Sequence, residues 1–77
     1  MDIEILFFGP LTDIVGLNTI TMANPCSIDA LKVQLFKQYP KLADAKFIIA
    51  INNKMVMDNE AIPDNAVIAL MPPFSGG

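Results

Sequence analysis

Only one stretch of the chain has the spacing of a long helix, and this limits the fold more than any other feature. Ile28, Leu31, Leu35 and Tyr39 recur on one side, while Lys32, Gln34 and Lys37 fill much of the rest. Val33 and Phe36 fall off the stripe, so the helix is not cleanly amphipathic. Ser27 has the chemistry of an N-cap, and Asp29 sits in the first turn against the positive end of the helix dipole. Pro40 stops the helix, because a residue before proline disfavours α geometry. These signals predict one main helix over 28–39. A lone helix has no second helix against which to bury its stripe. The available surface is one face of a sheet, which gives a two-layer α+β domain.

The strands that must build this sheet are visible on either side of the helix. Residues 2–8 alternate, with Ile3, Ile5 and Phe7 on one face and Asp2, Glu4, Leu6 and Phe8 on the other. The second face turns apolar at Leu6 and Phe8, which is unexpected for a face in water. Gly9-Pro10 breaks the strand, Leu11–Val15 reads as a short helical turn stopped by Gly16, and Leu17–Ala23 reads as a second strand. Phe47–Ile51 is a continuous apolar run suited to a strand buried on both faces. Asn52-Asn53-Lys54 reads as a turn, Met55–Met57 as a short returning strand, and Ala66–Met71 as the last strand. The first and last strands are the long apolar ones. Setting them side by side and parallel at the centre of the sheet shields both, with the helix in the right-handed crossover path. The short connector between the first two strands predicts that they pair.

Composition excludes several classes of function. The sequence has 77 residues, room for one domain, and 53% of them are hydrophobic, so it is not a disordered acidic tail. Eight acidic against five basic residues give a net charge of -3, and there is no Arg. Such a surface offers no basic patch for a nucleic-acid backbone. No apolar run is long enough to span a bilayer, and the N-terminus lacks the basic segment of a secretory signal, so a cytoplasmic location is expected. Without His there is no imidazole acid, base or metal ligand, and a single Cys makes a thiolate zinc site implausible. A core this small leaves little surplus stability for a deep, strained pocket. A binding or carrier module is favoured over a self-contained enzyme.

The chain ends in Pro72-Pro73-Phe74-Ser75-Gly76-Gly77. Two prolines hold the backbone extended, and six extended residues reach roughly 20 Å. A diglycine at a free carboxylate is either a frayed end or a reactant delivered into another protein. Glycine permits close backbone approach and leaves the carbonyl carbon open to attack.

These residues carry a family likeness. The opening Ile5-Leu6-Phe7-Phe8-Gly9, the helix ending Tyr39-Pro40, the segment Ile49-Ala50-Ile51-Asn52 and the terminal Pro-Pro-Phe-Ser-Gly-Gly together resemble the small, sulfur-carrier subunits of molybdopterin synthase, of the MoaD/ThiS type. The resemblance spans essentially the whole chain, and the terminus is its most specific part. It implies a ubiquitin-like β-grasp fold of four to five strands on one main helix, with residues 1–71 as the domain and 72–77 as a flexible tail. It also implies a cycle. An adenylating, ubiquitin-activating-like enzyme uses ATP and Mg²⁺ to activate the Gly77 carboxylate. A persulfide donor then leaves a thiocarboxylate on Gly77. The sulfur passes to cyclic pyranopterin monophosphate inside the large catalytic subunit. No cofactor is bound permanently, no metal is held, and neither nucleic acid nor membrane is a partner. The small subunit brings the sulfur-bearing atom, and its partners bring the active sites.

The resemblance further implies that Phe8, Met55, Met71 and Phe74 meet those partners, with Pro72, Pro73, Ser75 and Gly76 forming the rest of the tail. Phe8 and Met71 are expected to be neighbours if the first and last strands run parallel. Methionine suits a surface that accepts two partners in turn, because it repacks easily. Cys26 is expected to be a small hydrophobe packed near the helix start. Asp58, Glu60 and Asp64 are expected to be solvated, with a role in steering a basic partner surface. Lys54 is expected to be solvated, and Asn52 to stabilise its turn. Three other readings stay open: a thiamine-type sulfur carrier, which the Pro72-Pro73 brace argues against, a ubiquitin-like modifier joined through Gly77 to lysines, and an interaction domain with an inert diglycine.

Overall fold

The computed structural model describes residues 2–73. Five strands form one mixed sheet: β1 (Asp2–Phe7), β2 (Thr19–Ala23), β3 (Ile48–Ile51), β4 (Lys54–Val56) and β5 (Val67–Met71). A short helix, α1 (Pro10–Val15), joins β1 to β2, and the main helix, α2 (Ile28–Gln38), follows β2. The strand order is β2-β1-β5-β3-β4. β1 and β5 are parallel neighbours at the centre, and β1–β2, β3–β5 and β3–β4 are antiparallel. This is the β-grasp architecture, and it places the two end strands side by side as their apolar sequences require.

Inner-face residues Ile3, Ile5 and Phe7 of β1, Ile68 and Leu70 of β5, and Ile49 and Ile51 of β3 join Ile28, Leu31 and Leu35 of α2 in one buried cluster. Alternation along each strand therefore assigns the core face directly. The stripe on α2 is incomplete, as its sequence indicates: Val33 is exposed and Phe36 half-buried against the edge of Phe47.

Three details differ from the sequence expectation. Four strands are shorter at an end, because Phe8, Leu17, Phe47 and Ala66 lie just outside the ladders, and β4 is shifted by one residue, taking in Lys54 from the expected turn and leaving out Met57. The helix stops at Gln38, with Tyr39 as its C-cap, and Pro40 opens a 3₁₀ helix (Pro40–Asp44) that has no apolar periodicity to announce it. Its Leu42 is fully buried. Cys26 is exposed rather than packed. The segment's structural work is done by the Cys26 backbone: its N–H donates to Asn24 Oδ1 and its carbonyl accepts from Ile62 N–H. The φ of 80° at Cys26 turns the chain at this point, and the thiol is left outside the core.

No helix among the described residues is long and apolar enough to cross a membrane.

Candidate functional site

The second face of the sheet is the chemically unusual one. Residues that alternate with the core set point away from the helices: Leu6 of β1, Val67, Ala69 and Met71 of β5, Ile48 and Ala50 of β3, and Met55 of β4. The register lines them up across the strands. Leu6 lies opposite Ala69, Ala69 opposite Ala50, and Ala50 opposite Met55. A second row contains Met71 opposite Ile48. Phe8 enters this row because Phe7 is registered with Leu70, and the Phe8 N–H donates to the Leu70 carbonyl at 3.1 Å. The expected neighbourhood of Phe8 and Met71 is thus present.

Exposure along these rows is uneven. Phe8 is 45% exposed and Met55 52%, whereas Met71 is half-buried. This apolar face, bordered by Asp2, Glu4 and Thr21, is the candidate docking surface. Beside Phe8 lies an open depression of about 400 Å³, lined by Leu6, Gly9, Thr12, Asn18 and Thr19. Thr12 stabilises this corner by donating its hydroxyl to the Phe7 carbonyl at 3.1 Å.

The chain leaves the sheet at the same corner. Pro72 follows Met71 directly and packs against Gly9. A Cβ on Gly9 would stand 3.2 Å from Pro72 Cγ, and the Gly9 φ of 58° is one that side-chain-bearing residues seldom adopt. Gly9 thereby gives the proline a seat at the rim. Of the tail residues, Pro72 is half-buried and Pro73 exposed. Phe74, Ser75, Gly76 and Gly77 lie outside the described residues.

The remaining sequence candidates sit elsewhere. Asn52 fastens two strands rather than merely shaping its turn: its N–H donates to Val67 O and its Oδ1 accepts from Val67 N–H. Lys54 is exposed at the β4 edge. Asp58, Glu60 and Asp64 are exposed in the β4–β5 connection, and Asp64 Oδ1 accepts from Asn24 Nδ2. Among the described residues, no three His, Cys, Asp or Glu side chains come together as a metal site would require.

Asn24 and Asn59 escaped the sequence reading. Asn24 Nδ2 also reaches the Ile62 carbonyl at 2.9 Å, while Asn59 Oδ1 accepts from the Asp29 N–H at the start of α2. Both contacts join residues more than a quarter of the chain apart, so nothing local in the sequence signals them.

Known proteins are similar to this chain in sequence and in fold. The ThiS family matches residues 5–77. The chain is 29% identical to the molybdopterin synthase sulfur carrier subunit of Chlamydomonas reinhardtii, with all of both chains covered. It is likewise 29% identical to the subunit of that name from Escherichia coli, covering 97% of this chain and 99% of the other. Among solved structures, a putative molybdopterin converting factor subunit 1 from Pyrococcus furiosus superposes with a TM-score of 0.83 at 19% identity, covering 95% and 98% of the two chains. SAMP1 of Haloferax volcanii gives 0.78 at 21% identity, with all of both chains covered. A chain from the complex of subunits 1 and 2 of the Helicobacter pylori molybdopterin-converting factor gives 0.73 at 25% identity, again over both whole chains. With the parallel central strands, the apolar outer face and a family match over nearly its whole length, the chain belongs to the ThiS family.

Proposed function

We propose that this protein is the sulfur carrier of molybdopterin synthesis and that the carboxylate of Gly77 is its working group. A carboxylate is a poor electrophile, so an adenylating partner first joins it to AMP, releasing pyrophosphate from ATP with the help of Mg²⁺. The terminal sulfur of a persulfide then attacks the acyl carbon, and AMP leaves. A thiol cleaves the resulting acyl disulfide, taking the donor's sulfur into a new disulfide and leaving the thiocarboxylate on Gly77. Inside the large synthase subunit this sulfur passes to cyclic pyranopterin monophosphate. Phe8, Met55 and Met71 hold the carrier on each partner, and Phe74 anchors the tail at the channel mouth. The carrier supplies no acid, base or metal for these steps.

The observation that supports this reading best is the placement of the exit. Both central strands end at one rim, where Phe8 and Met71 stand side by side, and Pro72 continues from there. A partner that covers the apolar face also receives the tail. The sulfur carrier subunits similar along their whole lengths, and the neighbour solved together with its subunit 2, fit the same reading.

Incubation of the untagged protein with its activating enzyme, ATP and a sulfur source tests it. The expected product is the intact chain with one oxygen exchanged for sulfur. Slower-migrating conjugates instead of that product would favour a protein modifier joined through Gly77 to lysines, a role consistent with the fold shared with SAMP1. Absence of any ATP-dependent change would remove both readings.

A further inference from the structure

A second surface lies at the same end of the sheet as the tail's exit, since Ile48 of its lining is registered with Met71. Between α2 and the β3–β4 hairpin runs a groove of about 440 Å³, lined among others by Ile28, Lys32, Phe36, Phe47, Val56 and Met57. Its apolar floor is built from α2 and the segment entering β3. Ile28 is buried, and the rings of Phe36 and Phe47 meet edge to face with centroids 6.1 Å apart. At its mouth stands Met57, 83% exposed, the most exposed large hydrophobic side chain among the described residues. A flexible thioether beside two aromatic rings is well suited to closing over an incoming apolar side chain.

The charges lining this groove run against those of the chain. Lys32 and Lys46 line it with a single carboxylate, Asp58, which leaves it net positive in a protein of net charge -3. Lys37 and Lys41 lie further along α2 and the 3₁₀ helix, so four of the five lysines belong to the helical layer and the segment that follows it. Lysine stems add apolar cover while the amines stay in water. An occupant must therefore offer a bulky apolar side chain and carboxylates close to it.

The groove also meets the docking face at a corner. Val56 is registered with Ile49, so Met57 follows at the end of the strand next to Ile48, which lies in the outer-face row with Met71. A partner held on the sheet can reach round the β4 edge without leaving the carrier.

We propose that this groove binds an extended acidic segment of a partner protein, with one apolar side chain seated among Phe36, Phe47 and Met57 and its carboxylates paired with Lys32 and Lys46. The contact needs neither the tail nor its chemistry, and therefore stands apart from the sulfur-carrier reading.

Titration of the isotope-labelled full-length protein with a short synthetic peptide, Leu and Phe flanked by Asp and Glu, tests it by amide chemical shifts. Shifts confined to residues 28–36, 45–49 and 56–58 are expected. Affinity should fall at least about tenfold in the Lys32→Glu/Lys46→Glu variant and with added salt. Met57→Ala, at an exposed position, should also weaken binding while leaving the melting temperature unchanged. Equal binding of a peptide with Lys in place of the acidic residues would overturn the proposal. So would shifts that map elsewhere, no binding at all, or self-association of the carrier through this groove.

Discussion

Phe8 is the residue at which the core and the surface part company. Its neighbour Phe7 is buried, whereas Phe8 is half in solvent with its N–H paired to Leu70 O. Introducing a charge by Phe8→Glu leaves the ladder bond in place but gives up the packing of a residue that is 45% exposed, so stability should fall by about 1 kcal/mol. Binding to the large synthase subunit should weaken by about 2 kcal/mol or more, the loss expected of an aromatic anchor. Calorimetric titration together with thermal melting separates the two effects; a large fall in stability with binding intact would place Phe8 in the core. Leu42 is the opposite case. Fully buried on a 3₁₀ turn, it should cost about 2–5 kcal/mol when cut to Ala, read from urea denaturation. Phe8 was legible because its strand alternates and the outer face turns apolar at a definite position. Leu42 was not, because two adjacent apolar residues, Leu42 and Ala43, between Pro40 and Asp44 show no period by which to be recognised.

Elements in this fold are fixed at their ends by side chains from distant loops. The N-terminus of α2 has two caps: Ser27 Oγ accepts from Ala30 N–H at 3.2 Å, and Asn59 Oδ1 accepts from Asp29 N–H at 2.9 Å. The first is written into the sequence as a local pattern, while the second crosses from the β4–β5 connection and has no local signature. A single bridge between Ser27 and Ala61 and the Ile28 N–H bond to Glu60 O tie the same two loops. Asn59→Ala and Ser27→Ala should each lower stability by about 1 kcal/mol in chemical denaturation. If Asn59→Ala is neutral, the second cap contributes nothing in solution. The central pairing of β1 with β5 was legible for a related reason, whereas the place of β3 on the far side of β5 was not read from the sequence. Two long apolar strands at the ends of the chain need the centre of a sheet, and one helix between them fixes the crossover. Strand ends were read a residue or two long, since an apolar residue beyond the last ladder bond looks the same in sequence as one within it. The β3–β4 turn follows local chemistry, with Asn52 and Asn53 both at positive φ as a tight hairpin requires.

At the scale of the whole molecule, a small domain presents one apolar sheet face, and Pro72 follows the last strand at the rim of that face. In the proposed reaction the chemistry belongs to the terminal carboxyl, so blocking it should abolish sulfur acceptance without touching the core. A chain extended beyond Gly77 should melt at the same temperature as the original yet gain no sulfur with its activating enzyme. An extended chain that accepts sulfur without first being trimmed would contradict the mechanism. The outer face was partly visible in the sequence through Leu6 and Phe8. The continuity of that face across four strands was not visible, since it depends on the registers that bring Leu6, Ala69, Ala50 and Met55 into one row.

Locating the transferred atom by fragment mass spectrometry tests the central claim most directly, because sulfur on the terminal carboxyl and sulfur on a thiol give different products. A thiocarboxylate at Gly77 exchanges oxygen for sulfur, whereas a persulfide on the exposed Cys26 adds sulfur and loses nothing. After activation with ATP, the mass change is predicted to be the exchange, confined to the C-terminal fragment and undiminished in Cys26→Ser. Sulfur found on Cys26, with the Gly77 fragment unchanged, would contradict the account.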